Sequence, residues 1–295
     1  MPLLKLLLGV FAGSTAVLWI KLSDIDAVTL TALRLSLASV ALAPFAWRDW
    51  RRHREQLDWT HLRDTVVPGL MLAMHLASWN LGVRMTKAAN GTLIVNLTPL
   101  VTPLLLWLLV SEKVTRRELI ATAVSSAGLV LLFVADFRVS ACTLAGDAVC
   151  LGSMVMLAIY LVLARRYRHH PTTLLYVTPL YAVAAIVAWI ATPWLGDAAA
   201  IDWRSEWPWV ALLVLVPTIV GHSLINQAMR ELRGQIVSLL IMTQFVFAGT
   251  LAWFCLDERP VAEFYPAALL ALSGGLIASW PSVRSSLGRS EPRGV

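Results

Sequence analysis

The chain has 295 residues, 58% of them hydrophobic and 14% charged, with a mean hydropathy of +0.71, whereas soluble domains run at about 45–50% apolar and about 25% charged. A soluble enzyme is excluded, because a globule of this length has too little interior for so many apolar side chains and lipid is the solvent that fits them. The net charge of +6 does not mark a nucleic-acid binder, since the basic residues sit between apolar runs rather than on one water-facing stripe.

Runs long enough to cross a hydrocarbon core of about 30 Å fall near 4–22, 27–47, 65–86, 89–110, 117–135, 144–164, 173–193, 207–229, 235–256 and 263–282. The first, Leu3 to Ile20 behind Lys5, also carries the small-residue stretch Ala12 to Ala16 of a cleaved leader, an alternative that leaves nine spans. With the N-terminus in the cytoplasm, seventeen Lys and Arg lie on the inner side and six on the outer, and Arg34 alone lies within a span. Positive charges in short loops resist translocation. The expectation is an all-α integral membrane protein of ten transmembrane helices in the inner membrane, with N- and C-termini cytoplasmic. The loops are too short for a soluble catalytic domain, and residues 285–295 read as a cytoplasmic tail. Cys142, Cys150 and Cys255 are an odd number without ligand spacing, so neither a disulfide framework nor a metal site is expected.

Shifted by 146 residues, Trp107, Glu112, Lys113 and Gly128 fall on Trp253, Glu258, Arg259 and Gly274, and Asn80 falls on Asn226. The pattern predicts two repeats, 1–140 and 141–284. Each holds five spans, an odd number, so the second enters the membrane from the opposite face. Inverted repeats let two halves exchange roles around a central site, which is a transporter architecture.

The stretch Ala88 to Gly128, with N-L-T-P-L-V-T-P-L-L-L-W at 96–107 and S-E-K at 111–113, resembles the proline–tryptophan–glutamate block of EamA-type transporters in the drug/metabolite transporter superfamily. Arg34, G-H-S-L-I-N-Q at 221–227 and F-C-L-D-E-R-P at 254–260 resemble further patterns of that family. The resemblance implies ten helices and movement of small metabolites, often outward. Two positions depart from it: Phe245 stands where the first copy has Pro99, and Gln244 stands near a place where a glutamate is common.

Spans four and nine carry matched stripes at helical spacing, Thr92, Asn96, Pro99, Pro103 and Trp107 against Ser238, Met242, Phe245, Gly249 and Trp253. Prolines in a membrane helix free carbonyls that neighbours or cavity water must satisfy, so Pro99, Pro103 and the matching Gly249 are candidate kink or gating positions, with plain close packing as the alternative. Spans three and eight hold the polar centre. His75, Trp79, Asn80, Asn96, His222, Asn226 and Gln244 are the candidate substrate contacts, because polar groups at membrane depth are costly unless they face a cavity or a partner. Arg34 is expected to reach outward or to pair with Asp24 or Asp26, and capture of a substrate carboxylate is the sharper alternative. Glu112 and Glu258, each followed by a cation at a span's end, read with Arg34 as charge locks. No carboxylate lies at mid-span, so proton coupling would rest on His75, His222 or Asp147, and facilitated exchange stands beside it.

Neither H-E-x-x-H nor G-x-S-x-G occurs, and no enzyme, cofactor or nucleic-acid partner is expected. The expected partners are a small-molecule substrate and the bilayer, for a monomer or homodimer. The reading is an alternating-access transporter exporting a small polar, amino-acid-like metabolite. Import of a vitamin or nucleotide-like cofactor, and a non-transporting structural or sensory membrane protein, are the alternatives.

Overall fold

A chain immersed in lipid must satisfy its backbone N–H and C=O groups internally, and helices do this without needing a partner strand. The computed structural model describes residues 2–86, 88–136, 141–198 and 201–287, and the described residues form helices and no strand. Lys87, Arg138, Arg289 and Arg293, with the side chains of Cys142 and Arg284, lie outside what is described.

In chain order the helices are α1 (Pro2–Ser14), α2 (Ala16–Leu22), α3 (Ala27–His53), the short α4 (Trp59–Arg63), α5 (Val66–Met85), α6 (Ala88–Val95), α7 (Thr98–Val110) and α8 (Arg116–Asp136). There follow α9 (Ala141–Arg166), α10 (Thr173–Leu195), α11 (Trp203–Leu213), a π-helical stretch (Val214–His222), α12 (Ser223–Glu231), α13 (Gly234–Met242), α14 (Gln244–Leu256) and α15 (Phe264–Leu287). Among the described residues, eight of the ten expected spans are helical stretches long and apolar enough to cross a membrane. The remaining two expected runs fall in α8 and α15. The first of these is α8, Arg116–Asp136, and in the second the stretch Phe264–Trp280 is a shorter apolar helix among the described residues.

Most packing pairs join the first half of the chain to the second. α3 lies against α10, α5 against α9, α8 against α15, and α1 against the π-helical stretch, while α6 packs on α14 and α7 on α13. The α8–α15 contact accounts for the matched glycines. A Cβ on Gly128 would sit 2.7 Å from the carbonyl oxygen of Ala267, and one on Gly274 would sit 2.6 Å from that of Ala121. Hydrogen at these positions is what lets the two backbones approach. Large apolar side chains such as Leu8, Val40, Ile186, Leu215 and Leu269 are exposed on the outside of the bundle, as lipid-facing surfaces require.

Three expected spans are interrupted. The run 89–110 breaks at Asn96–Leu97 between α6 and α7, and 235–256 breaks at Thr243 between α13 and α14. Pro99 falls in the first turn of α7, where its missing N–H has no intrahelical partner to lose. The second break forms without a proline: the Thr243 hydroxyl donates to the carbonyl of Leu240 at 2.7 Å. The third break, at Thr15 between α1 and α2, has the same kind of bond, Thr15 Oγ1 donating to Ala12 O at 2.8 Å.

Candidate functional site

The breaks bring polar groups into the middle of the bundle. Asn96 at the first break donates from Nδ2 to Oε1 of Gln244 at the second, 3.2 Å away. Gly13 makes room for that glutamine, since a Cβ there would lie 2.4 Å from its Nε2. Around this pair a cavity with about 440 Å³ of space between atoms is lined by Arg34, His75, Trp79 and Asn96 from the first half and His222 and Gln244 from the second, with Gly13, Leu157, Leu161, Ile225 and Ile241 among the remaining wall residues. Only about 30 Å³ of it accepts water centres, room for one or two waters.

His75 is held by α9. Ser153 Oγ donates its one proton to the carbonyl of His75 at 2.8 Å and sits 2.8 Å from His75 Nδ1. Since that hydroxyl proton is already committed, Nδ1–H is the donor of the second bond, which leaves the lone pair of the neutral ring on Nε2. The ring stacks on Trp79 at 6.2 Å between centroids and faces His222 at 6.5 Å. Trp79 Nε1 and His222 Nδ1 are buried without a hydrogen-bond partner.

The π-helical stretch shapes the opposite wall. Pro217 has no N–H, so the carbonyl of Leu213, four residues earlier, loses its α-helical donor. Thr218 Oγ1 donates to that carbonyl instead, at 2.7 Å, and accepts from Arg34 Nε at 2.5 Å. A proline in the second half thus fixes the arginine of the first. Arg34 is fully buried. The structure corrects the expectation that it reaches outward or pairs with Asp24 or Asp26: Asp26 caps α3 by accepting from the N–H groups of Val28 and Thr29, and among the described residues no ion pair reaches Arg34. Its Nη1 and Nη2 have no partner. An unpaired guanidinium removed from water carries a penalty of several kcal/mol.

Two of the seven expected substrate contacts lie elsewhere. Asn80 donates to Thr31 Oγ1 at 2.9 Å and to Ala27 O at 3.3 Å, tying α5 to α3. Asn226 donates to the Tyr160 hydroxyl and to His222 O, tying α12 to α9. Pro99, Pro103 and Gly249 also lie off the cavity wall. Pro103 frees the carbonyl of Pro99, and the buried Gln235 of α13 fills the vacancy, donating from Nε2 at 3.0 Å. Sequence reasoning missed Gln235, Gly13, Ser153 and Thr218. For Thr218 the signal was present, since it directly follows Pro217; nothing in the sequence brings Gln235 to the carbonyl of Pro99.

Glu112 and Glu258 occupy equivalent places at opposite ends of the antiparallel pair formed by α6–α7 and α13–α14. Each follows a residue in the left-handed region, Ser111 at φ 57° and Asp257 at φ 53°, and each closes a helix end through its own N–H, to Leu106 O and Ala252 O. Glu112 accepts from Arg165 Nε at 2.9 Å and from the N–H of Gly234 at 3.1 Å. Glu258 accepts from Lys21 Nζ at 2.6 Å and from the N–H of Ala88 at 2.8 Å. Each carboxylate therefore clamps two segments of the opposite half. At the Glu112 end a second pair, Arg233 with Glu118 at 2.6 Å, adds to the closure.

The model of the EamA-like transporter family matches residues 1–134 and 144–280. An uncharacterized transporter of Archaeoglobus fulgidus is 25% identical over 275 residues, 90% of this chain and 91% of the relative, and a second from the same organism is 25% identical over 256 residues, 86% and 87%. The uncharacterized transporter YyaM of Bacillus subtilis is 26% identical over 164 residues, about half of each chain (54% and 53%). A solved crystal structure shares the fold, with a TM-score of 0.74 at 18% identity and coverage of 96% of this chain and 98% of the other. The chain is a multi-pass membrane transporter and belongs to the EamA-like transporter family.

Proposed function

We propose that the chain is an alternating-access transporter of ten helices in two inverted repeats, 1–140 and 141–284, with both termini cytoplasmic, and that it exports a small amino-acid-like metabolite carrying a carboxylate. The observation behind the substrate class is Arg34, a fully buried guanidinium on the wall of a mostly apolar cavity, whose two terminal nitrogens have no hydrogen-bond partner. A carboxylate entering that space supplies the missing charge and makes a two-pronged pair with the guanidinium. His75, Asn96, His222 and Gln244 offer the remaining polar contacts and Trp79 a planar face. The family resemblance supplies the outward direction.

The repeat reading draws on the shared register of Glu112 with Glu258, Ser111 with Asp257, Gly128 with Gly274 and the two helix breaks. In the mechanism, the Glu258 clamp opens for release to the outside while the Glu112 clamp stays shut, and the reverse admits substrate from the cytoplasm. Both clamps are closed in the structure. Substrate bound at Arg34 removes the charge penalty of the closed form, which ties occupancy to the transition between faces.

The test is counterflow in proteoliposomes with labelled amino acids and with matched amines that lack the carboxylate. Acids should exchange and compete with one another, amines should do neither, and Arg34→Met should abolish the exchange while the protein remains monodisperse. Equal exchange of amines, or undiminished flux in Arg34→Met, would overturn the assignment. Efflux from preloaded cells checks the direction separately.

A further inference from the structure

A second cluster of chemistry lies away from the cavity, at the end of the bundle that holds the Glu112 clamp. Asp64 lies just before α5, and His169 and His170 lie in the turn between α9 and α10. Their ligand atoms all fall within 4.8 Å of one another, and His169 Nε2 is 3.1 Å from Asp64 Oδ2. The His61 ring stands edge-on to both histidines, at 5.3 and 5.0 Å between centroids. His53, His75 and His222 are the remaining histidines, so the other three gather at this one spot.

His170 is the informative member. It is 2% exposed, and neither ring nitrogen has a hydrogen-bond partner. A buried imidazole leaving both nitrogens unused is a polar group the fold has desolvated without return, and such groups call for an occupant. The histidine backbone is anchored: Arg230 donates to the carbonyls of His170 and Arg168 and to Thr173 Oγ1.

We propose that Asp64, His169 and His170 form a binding site for a divalent transition-metal ion of the zinc type. Two imidazoles and one carboxylate are a borderline donor set, suited to Zn²⁺, Co²⁺ or Ni²⁺ and poorly suited to Mg²⁺ or Ca²⁺, which take oxygen cages. Three protein donors leave a fourth tetrahedral position for water. Metal–donor bonds of about 2.0–2.2 Å require the three ligand atoms to draw together by an ångström or so from the outer limit of their present spacing. His169, half exposed at 49%, has the rotameric freedom to do it. The occupied site joins the segment entering α5 to the turn between α9 and α10, elements from the two halves of the chain. Nothing in this assignment depends on what the central cavity carries.

The experiment is titration of the purified, tag-free full-length protein in detergent, stripped with chelator, with Zn²⁺ followed by calorimetry and with Co²⁺ followed by its visible absorption. Binding of one ion per chain is expected, with a rise in thermal midpoint that chelator reverses and Mg²⁺ does not reproduce. Asp64→Asn and His169→Ala, at the partly exposed members of the cluster, should each weaken binding at least about tenfold, the scale on which metal sites respond even to outer-shell changes, and should remove the tetrahedral cobalt bands. His170→Ala should do the same, and His53→Ala should leave binding as in the wild type. Absence of saturable binding, or binding that His169→Ala and Asp64→Asn leave unchanged, would overturn the site.

Discussion

Replacing Glu258 by glutamine keeps the shape of the side chain and removes its charge, so it isolates what the clamp contributes. The carboxylate accepts from the Lys21 ammonium at 2.6 Å and from the Ala88 N–H at 2.8 Å. A hydrogen bond to a charged group contributes about 1.5–3 kcal/mol. The Lys21 and Glu258 side chains keep 17% and 27% exposure, so solvent screening places the loss toward the lower end, about 2 kcal/mol. At about 1.4 kcal/mol per decade that is a shift of about 30-fold toward the form open at that end. The Glu112 clamp is drier, with 11% and 12% exposure for Arg165 and Glu112, and Glu112→Gln should shift the opposite equilibrium by at least as much.

The assay uses one reporter thiol in a cysteine-free background. Ala16 lines the cavity and is small and buried, so Ala16→Cys tolerates the change. In whole cells a membrane-impermeant thiol reagent reaches it only from outside. Labelling should speed by about 30-fold in Glu258→Gln and slow in Glu112→Gln, if labelling follows the opening equilibrium. A merely structural role for the two glutamates predicts similar, unsided loosening in both variants. Equal acceleration in both, or no change in either, refutes the clamp reasoning and with it the opposed roles of the two ends.

Arg34→Met should raise the thermal midpoint while eliminating carboxylate flux, because the guanidinium has no anionic partner to orphan and replacing a buried charge with a hydrophobe stabilises by about 1–4 kcal/mol; a lower midpoint would mean that Arg34 is structurally paired. His75→Ala and Asn96→Ala should cut flux with expression intact, whereas Asn80→Ala should cost about 1–2 kcal/mol of stability through its lost bonds to Thr31 and Ala27 and leave flux per folded molecule unchanged. Gln235→Ala should destabilise by about 1–3 kcal/mol by orphaning the Pro99 carbonyl, and adding Pro103→Ala should restore part of it, since an alanine in place of that proline brings back the N–H the carbonyl lacks; additive losses in a denaturation double-mutant cycle would refute that pairing.

Hydropathy located the helices because lipid exposure and span length leave a run of apolar residues that no packing detail can hide. His75, Trp79, Asn96, His222 and Gln244 were legible as a group, since polar residues in apolar runs are few and cavities collect them. Asn80 and Asn226 carry the same local signature and end as interhelical ties, because the choice between cavity and neighbour depends on which helix lies alongside. Arg34 was misread for the same reason: its distance to Asp26 along the chain is short, but α3 rotates it toward Thr218. Asp64 and His169 lie in different halves of the chain, so no spacing rule for ligands applies to them.

The breaks at Asn96–Leu97 and at Thr243 are built from different residues. The first has asparagine at the turn and a proline in the following helix turn; the second has a threonine that back-bonds to Leu240 and no proline. If the two halves are repeats, as proposed, the interruption is common to both while the residues that supply it differ. Unwound backbone is tolerated at membrane depth only where protein or a water-filled cavity receives its polar groups. Here each break delivers a side chain, Asn96 or Gln244, to the other half rather than to its own. The bond between them therefore lasts only while both halves meet at the centre, and any motion that parts the halves exposes two amides together with the unpaired end of Arg34. A substrate with acceptors and a negative charge, as proposed, would meet all three groups at once.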